Sequence, residues 1–525
     1  MRAIIALAIS IAVLSCGCSQ NKQPQADNSS AAHADTAISQ QNRPNADAPV
    51  ASKFDALAVE QLDGFVESVQ QSFGIPGIAI GVIDHGKIVY RKGFGVTDVD
   101  NGDPVTPHTL FNLGHVTKAL SGYLMASLVH DGGFKWETPV IDLLPVFDAN
   151  APEVTQTLTI GDALCDCTGM PGSLMASFFI YENDSYFNAL DRIRKISRSP
   201  LPGSRHHMPI RSRNNALFSV ACYAAALRQH SDRSAEAAYR ELLQERVLTP
   251  LKMTSTTYTP NPRETAFPHG VTLDENVRRI VQSPNRTISS LEPAYGLWSN
   301  VDDMLKLVQA ELDSKMPENL ERRKVRAVRD ENRARGIAMR IHHRREQNVL
   351  VFQNDHVGYA AMVFLIPERK LGAVILANAT FARFNIDLIG AKILDIALDQ
   401  SSAAWLLEEA THKFQAARQT VARMIGNYWK IEPDHAWYKP LVGTYQEDLL
   451  GKITISDNGS EIILDAGEWR SRLGVRIDNS GVKSVLLIDP PLAGLVLNPV
   501  FEKKKVTALE IHEPFVTYLF KPVSP

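Results

Sequence analysis

Two side chains one helical turn apart stand out in the stretch His115-Val116-Thr117-Lys118. A histidine beside a buried lysine has its cationic form disfavoured and could serve as a nucleophile or general base. The plainer reading, which we prefer, makes His115 a polar residue at a helix start, bonded to backbone and chemically idle. Thr117 and Ser121 carry hydroxyls, but on a helix they point roughly 200° and 240° away from residue 115. Neither simply replaces it. Lys118 can persist for stability alone, its ammonium bonded to Asn215 or a backbone carbonyl. His206-His207 and His342-His343 do not suggest a metal: adjacent histidines diverge, and no carboxylate or cysteine cluster accompanies them. No cofactor is expected.

These residues need elements to hold them. Phe54, Leu57, Val59, Leu62, Phe65, Val66 and Val69 recur at helical spacing, and a second amphipathic helix runs from about Thr117 to His130, closed by Gly132-Gly133. Apolar runs flank Asp84-His85-Gly86 and Pro367-Glu368-Arg369-Lys370, two hairpin signals. Helix and hairpin first, a helical middle and strands last predict an α+β domain with an antiparallel sheet assembled from both ends of the sequence and a helical subdomain. That domain is placed at 53–400. Residues 401–436 read as a charged helical connector, and 437–525 as a small antiparallel β-sandwich or barrel.

At 525 residues the chain is long enough for two folded units, and its 44% apolar content and 22% charged content are ordinary. A net charge of −3 gives no reason to invoke nucleic acid. The N-terminus is different. Met1-Arg2 precedes an apolar stretch to Leu14 that is too short to span a bilayer, and Val13-Leu14-Ser15-Cys16 looks like a lipobox. Residues 1–15 read as a lipoprotein signal peptide and Cys16 as the lipidated residue. The polar segment 16–52 reads as a disordered tether spanning roughly 30 Å. The expected location is the bacterial cell envelope, lipid-anchored on the periplasmic side of a membrane. Cys165, Cys167 and Cys222 remain. The first two are one residue apart, poor spacing for a disulfide, and all three read as buried small hydrophobes.

Gly77-Ile78-Ala79-Ile80-Gly81-Val82, Gly86-Lys87-Ile88-Val89-Tyr90 and Thr109-Leu110-Phe111-Asn112-Leu113-Gly114 are similar to the opening of serine β-lactamase-like and penicillin-binding-protein-like hydrolases, the class C type included. Gly169-Met170-Pro171, Tyr295-Gly296-Leu297-Trp298-Ser299 and Leu376-Ala377-Asn378 continue the resemblance, which spans about residues 55–395. It implies a β-lactamase/transpeptidase-like domain. It also implies three catalytic elements: Ser-x-x-Lys, Tyr-x-Asn, and a Lys- or His-containing triplet ending in Gly. Here the first reads His115-Val116-Thr117-Lys118, the second Arg213-Asn214-Asn215, and the third Phe352-Gln353-Asn354. Lys118 and Asn215 are retained motif positions. His115, Arg213, Phe352 and Asn354 are substituted ones, expected to be inactive. An arginine cannot act as a base because it stays protonated, and no hydroxyl stands where Lys118 would activate it.

Two function classes stay open. The first is a non-catalytic binding or regulatory pseudoenzyme of the envelope, with an envelope ligand or small molecule in the cleft. The second is a divergent peptidase, esterase or amidase with a non-standard nucleophile. The arginine-rich run from Arg322 to Arg345 reads as a solvated helix face, with an anionic envelope surface as its second reading.

Overall fold

The computed structural model describes residues 52–100, 102–149, 152–168, 214–280, 291–313, 317–324, 326–330, 333–344, 347–448, 450–467, 469–503, 505–512 and 517–523. Its main helices are α1 (Ala56–Phe73), α2 (Thr117–His130), α3 (Asn215–Gln229), α4 (Val301–Leu312), α5 (Pro317–Arg323), α6 (Ile386–Leu398) and α7 (Ala403–Asn427). Helix α1 starts where the Asp55 carboxylate accepts from the Ala58 amide and stops at Gly74, at φ 66°.

An eight-stranded antiparallel sheet comprises β1 (Gly77–Asp84), β2 (Lys87–Gly95), β3 (Ala327–Asp330), β4 (Arg333–Gly336), β5 (Met339–Arg344), β6 (Gln347–His356), β7 (Tyr359–Ile366) and β8 (Leu371–Ala377), in the order β2-β1-β8-β7-β6-β5-β4-β3. The two ends of the domain meet at the β1–β8 pairing, with Ile80 opposite Ile375. Between β1 and β2, His85 and Gly86 both take positive φ, 50° and 76°, as a tight hairpin turn requires.

Side chains alternate across this sheet. Ile78, Ile80, Val82 and Ile375 face α1 and α6, whereas Ala79, Ile83, Val374 and Leu376 face the helical side. Gly81 is needed on that helical side: a Cβ there would lie 2.6 Å from Val301 Cγ1 on α4.

The C-terminal strands form a barrel. They are β9 (Gly443–Glu447), β10 (Gly451–Asp457), β11 (Ile462–Asp465), β12 (Arg470–Ile477), β13 (Lys483–Leu487), β14 (Val496–Glu502), β15 (Lys505–His512) and β16 (Thr517–Pro522). Each pairs with the next, and β9 pairs with β16, so the ring is closed. Tyr445, Ile453, Leu464, Leu473, Leu487, Leu509 and Phe520 are buried in it, as expected of a small barrel filled by its own side chains.

The arginine-rich run is not one helix face. Arg322 and Arg323 end α5, while Arg333, Arg335 and Arg340 lie on strands β4 and β5. Arg322 is fully buried, its Nη1 2.8 Å from Glu311 Oε1. Arg333 and Arg335, two apart on β4, share one face of the sheet, and Arg340 on β5 stands directly opposite Arg335. No described helix is long and apolar enough to cross a membrane. Cys16 lies outside the described residues.

Candidate functional site

His115 sits in a 3₁₀ turn, Gly114–Val116, that runs directly into α2. The turn is pinned from both sides. The Asn112 side chain accepts from the Gly114 amide at 2.9 Å, and the Leu113 amide donates to Leu297 O at 2.8 Å. The Thr117 hydroxyl accepts from the Leu297 amide at 3.3 Å. Ser121 is fully buried, bonded to Tyr239 and the Pro293 carbonyl. Both hydroxyls therefore hold α2 to its neighbours and face away from the cleft.

The cleft is lined by His115, Lys118, Cys165, Asp166, Arg335, Ala338, Met339, Arg340, Val351, Phe352 and Gln353. The structure thus brings His115, Lys118 and Phe352 together. The imidazole Nε2 of His115 is 2.9 Å from Asn215 Nδ2, and its ring stands edge-on to Tyr295 at 4.9 Å. Asn215 is the first residue of α3, which the Asn214 side chain caps by accepting from the Leu217 amide. Arg213 and His206-His207 lie outside the described residues. Asn354 is on β6, its backbone opposite Ala361.

Lys118 does not pair with Asn215 as expected. Its Nζ lies 2.8 Å from Asp166 Oδ1, both side chains are buried, and the ammonium also stands 4.4 Å over the Phe218 ring. Asp166 Oδ2 is 3.4 Å from Arg335 Nη1. A lone ammonium in this wall would be costly, and the carboxylate offsets it. Asp166 is the site residue that motif reasoning missed. Its only advance signal was that a buried lysine requires an anion.

Cys165 and Cys167 are also not two separate thiols. They are joined as a disulfide with Cα atoms 5.1 Å apart. Asp166 between them takes φ 54°. This left-handed residue reverses the local turn, so the flanking side chains meet despite their spacing. Cys222 is a buried free thiol as expected, and burial raises its pKa.

One wall of the cleft is the turn between β4 and β5. Ala338 donates its amide to Leu164 O at 2.8 Å and crosses α2 at Gly122, where a Cβ would stand 2.6 Å from Ala338 Cβ. The opposite wall is the part of β6 that runs beyond its pairing with β5, which ends at Val351 opposite Arg340. From Phe352 onward that edge faces the His115 turn. Among the described residues no cluster of three or more His, Cys, Asp or Glu could hold a metal ion.

The family described as Beta-lactamase matches residues 62–393. Protein flp of Staphylococcus aureus (strain MRSA252) is 22% identical over 324 residues, which cover 61% of this chain and 62% of that protein. The chain therefore spans less than two thirds of that relative's length. The octameric penicillin-binding protein homologue from Pyrococcus abyssi superposes with a TM-score of 0.55 at 18% identity, covering 88% of this chain and 100% of that one. The class C beta lactamase from Rhodobacter sphaeroides gives a TM-score of 0.51 at 20% identity, covering 64% and 99%. These likenesses show a β-lactamase/transpeptidase-like fold, and with the match over residues 62–393 the chain belongs to the beta-lactamase family.

Proposed function

We propose that this chain is a non-catalytic binding or regulatory member of its family, a pseudoenzyme held in the cell envelope by a lipid on Cys16. The observation that carries this reading is the commitment of Lys118 to Asp166 at 2.8 Å, beside a histidine where the family carries its serine. A nucleophile at position 115 would need a base to take its proton, and the nearby ammonium is already bound to a carboxylate. His115 supplies no hydroxyl for an acyl-serine and is itself occupied by Asn215 and Tyr295.

The cleft suits binding. Among the described lining residues, Lys118, Arg335 and Arg340 outnumber Asp166, next to the apolar surfaces of Met339 and Phe352. That lining fits a small envelope ligand, anionic at one end and apolar at the other.

The test is intact-mass spectrometry of the purified protein after exposure to penicillins, with hydrolysis assays on a chromogenic cephalosporin and a short-chain nitrophenyl ester. No adduct and no turnover above imidazole background are expected. Robust turnover that disappears on Lys118→Ala would refute the reading and establish a divergent hydrolase instead.

A further inference from the structure

The disulfide Cys165–Cys167 encloses a single residue, and that residue is Asp166, whose carboxylate holds Lys118 at 2.8 Å and Arg335 at 3.4 Å. Its φ of 54° is a conformation that residues other than glycine seldom hold without constraint. The covalent ring and the salt bridges therefore hold the same backbone. Cys165 lines the cleft and is almost fully buried, whereas Cys167 is partly exposed. The two cysteines differ in exposure, and the inner one shares its cleft with Lys118, Arg335 and Arg340.

We propose that Cys165–Cys167 is a thiol–disulfide exchange site in the cleft wall, which accepts electrons from a dithiol and, on opening, releases Asp166 from Lys118 and Arg335. The thiolate of the dithiol attacks Cys167 Sγ, on the more exposed cysteine. A mixed disulfide forms, the Cys165–Cys167 bond breaks, and Cys165 leaves as a thiolate. Lys118 and Arg335 in the same cleft favour that anion, and a stabilised thiolate is a better leaving group. The second thiol of the dithiol then attacks its own sulfur in the mixed disulfide and expels Cys167. Two electrons pass from the dithiol, which becomes a disulfide, to the protein, and two protons accompany them to give two thiols. Freed from the ring, residue 166 can leave the left-handed region, and its carboxylate moves with it. An exported protein can form such a bond and meet such dithiols, because its compartment permits disulfides.

The experiment uses the full chain purified without reductant, with dithiothreitol as the dithiol and no denaturant. Iodoacetamide mapping should find the peptide containing Cys165 and Cys167 unlabelled before reduction and doubly labelled after it. Cys222, buried in the core, should stay unlabelled in both and so report that the fold is intact. A second readout is acetylation of Lys118 by an N-hydroxysuccinimide ester, which should rise severalfold on reduction. Labelling of both cysteines before reduction would overturn the proposal. So would resistance to dithiothreitol until the protein is unfolded, or Lys118 acetylation that reduction leaves unchanged. Reduction of the unmodified protein carries the test, so it survives if Cys165→Ser or Cys167→Ser fails to fold. It is also independent of whether the cleft turns over a substrate.

Discussion

Lys118 Nζ lies 2.8 Å from Asp166 Oδ1, across 48 residues of sequence, and the two side chains are 7% and 9% exposed. Arg335 approaches the other oxygen of the same carboxylate. The two halves of the pair are therefore not equivalent. Asp166→Asn leaves two cations facing a neutral amide, and should lower unfolding free energy by about 3 kcal/mol. Lys118→Met leaves Asp166 with Arg335 and should cost clearly less. Urea denaturation of both variants checks the order. An equal or reversed ranking would mean that the pair does not organise this wall.

Restoring a serine at position 115 is not expected to restore acylation. In His115→Ser the new hydroxyl would face a lysine still held by Asp166, with Phe352 in the cleft and an arginine at 213. No penicillin adduct should appear by intact-mass spectrometry. The triple change His115→Ser, Arg213→Tyr, Phe352→His should recover a trace at most. Efficient acylation of the single variant would show that the Lys118–Asp166 pair is no barrier to catalysis.

Much of this arrangement was legible in the sequence, and the exceptions have physical causes. Hairpins at His85-Gly86 and around Pro367–Arg369 announce themselves by local turn chemistry. Helix α2 was legible from its apolar content and the Gly132-Gly133 pair after it, but it is buried on nearly every side where one apolar stripe was expected, because other elements enclose it. Asp166 was not legible, because nothing local ties it to a lysine 48 residues away. The disulfide was hidden for a related reason. Spacing of one residue argues against it unless the intervening φ is positive, and a left-handed aspartate cannot be read from composition. The arginine run misled because charge density says nothing about whether a helix or three strands carries it. The C-terminal unit could be read only as sandwich or barrel, since closure depends on β9 meeting β16, with Tyr445 opposite Pro522.

Gly122 sets the distance between α2 and the cleft wall. In an exposed helix, Gly→Ala gains up to about 1 kcal/mol. Here the added methyl would stand 2.6 Å from Ala338 Cβ, in a turn tied to Leu164. Gly122→Ala should therefore be net destabilising, by about 1–3 kcal/mol. A raised melting temperature would show that the wall yields freely.

The lipid anchor is tested separately. Metabolic labelling with a palmitate analogue should mark the protein, and Cys16→Ala should abolish the label and release the chain to the soluble fraction. Membrane association unchanged in that variant would remove the anchor from the proposed function.

The barrel meets the main domain at the short turn around Leu273, and that contact should be acid-sensitive. Leu273 donates its amide to Ile488 O at 2.9 Å and packs with Trp429, Leu486 and Val421. Beside it, Asp274 accepts from Arg472, and Glu275 is paired with Arg418 on α7. Burial pushes the Asp274 carboxyl up, but the Thr272 hydroxyl and Arg472 outweigh it and hold the group below its ordinary 3.8. The hydrogen bond from Arg418 likewise holds Glu275 below its ordinary 4.5. Both pKa values are lower in the folded state, so their stabilisation is fully present above the unfolded values and fades as pH falls through the folded ones. Both groups are about one-third exposed, so water and salt screen them and each contributes less than about 1 kcal/mol. Thermal unfolding of the wild type and of Asp274→Asn, Glu275→Gln should differ at pH 7, with the wild type higher. The gap should narrow below about pH 4 and at high salt. A gap that persists unchanged at about pH 2.5 would assign the docking to Leu273 and its apolar neighbours, with no electrostatic share.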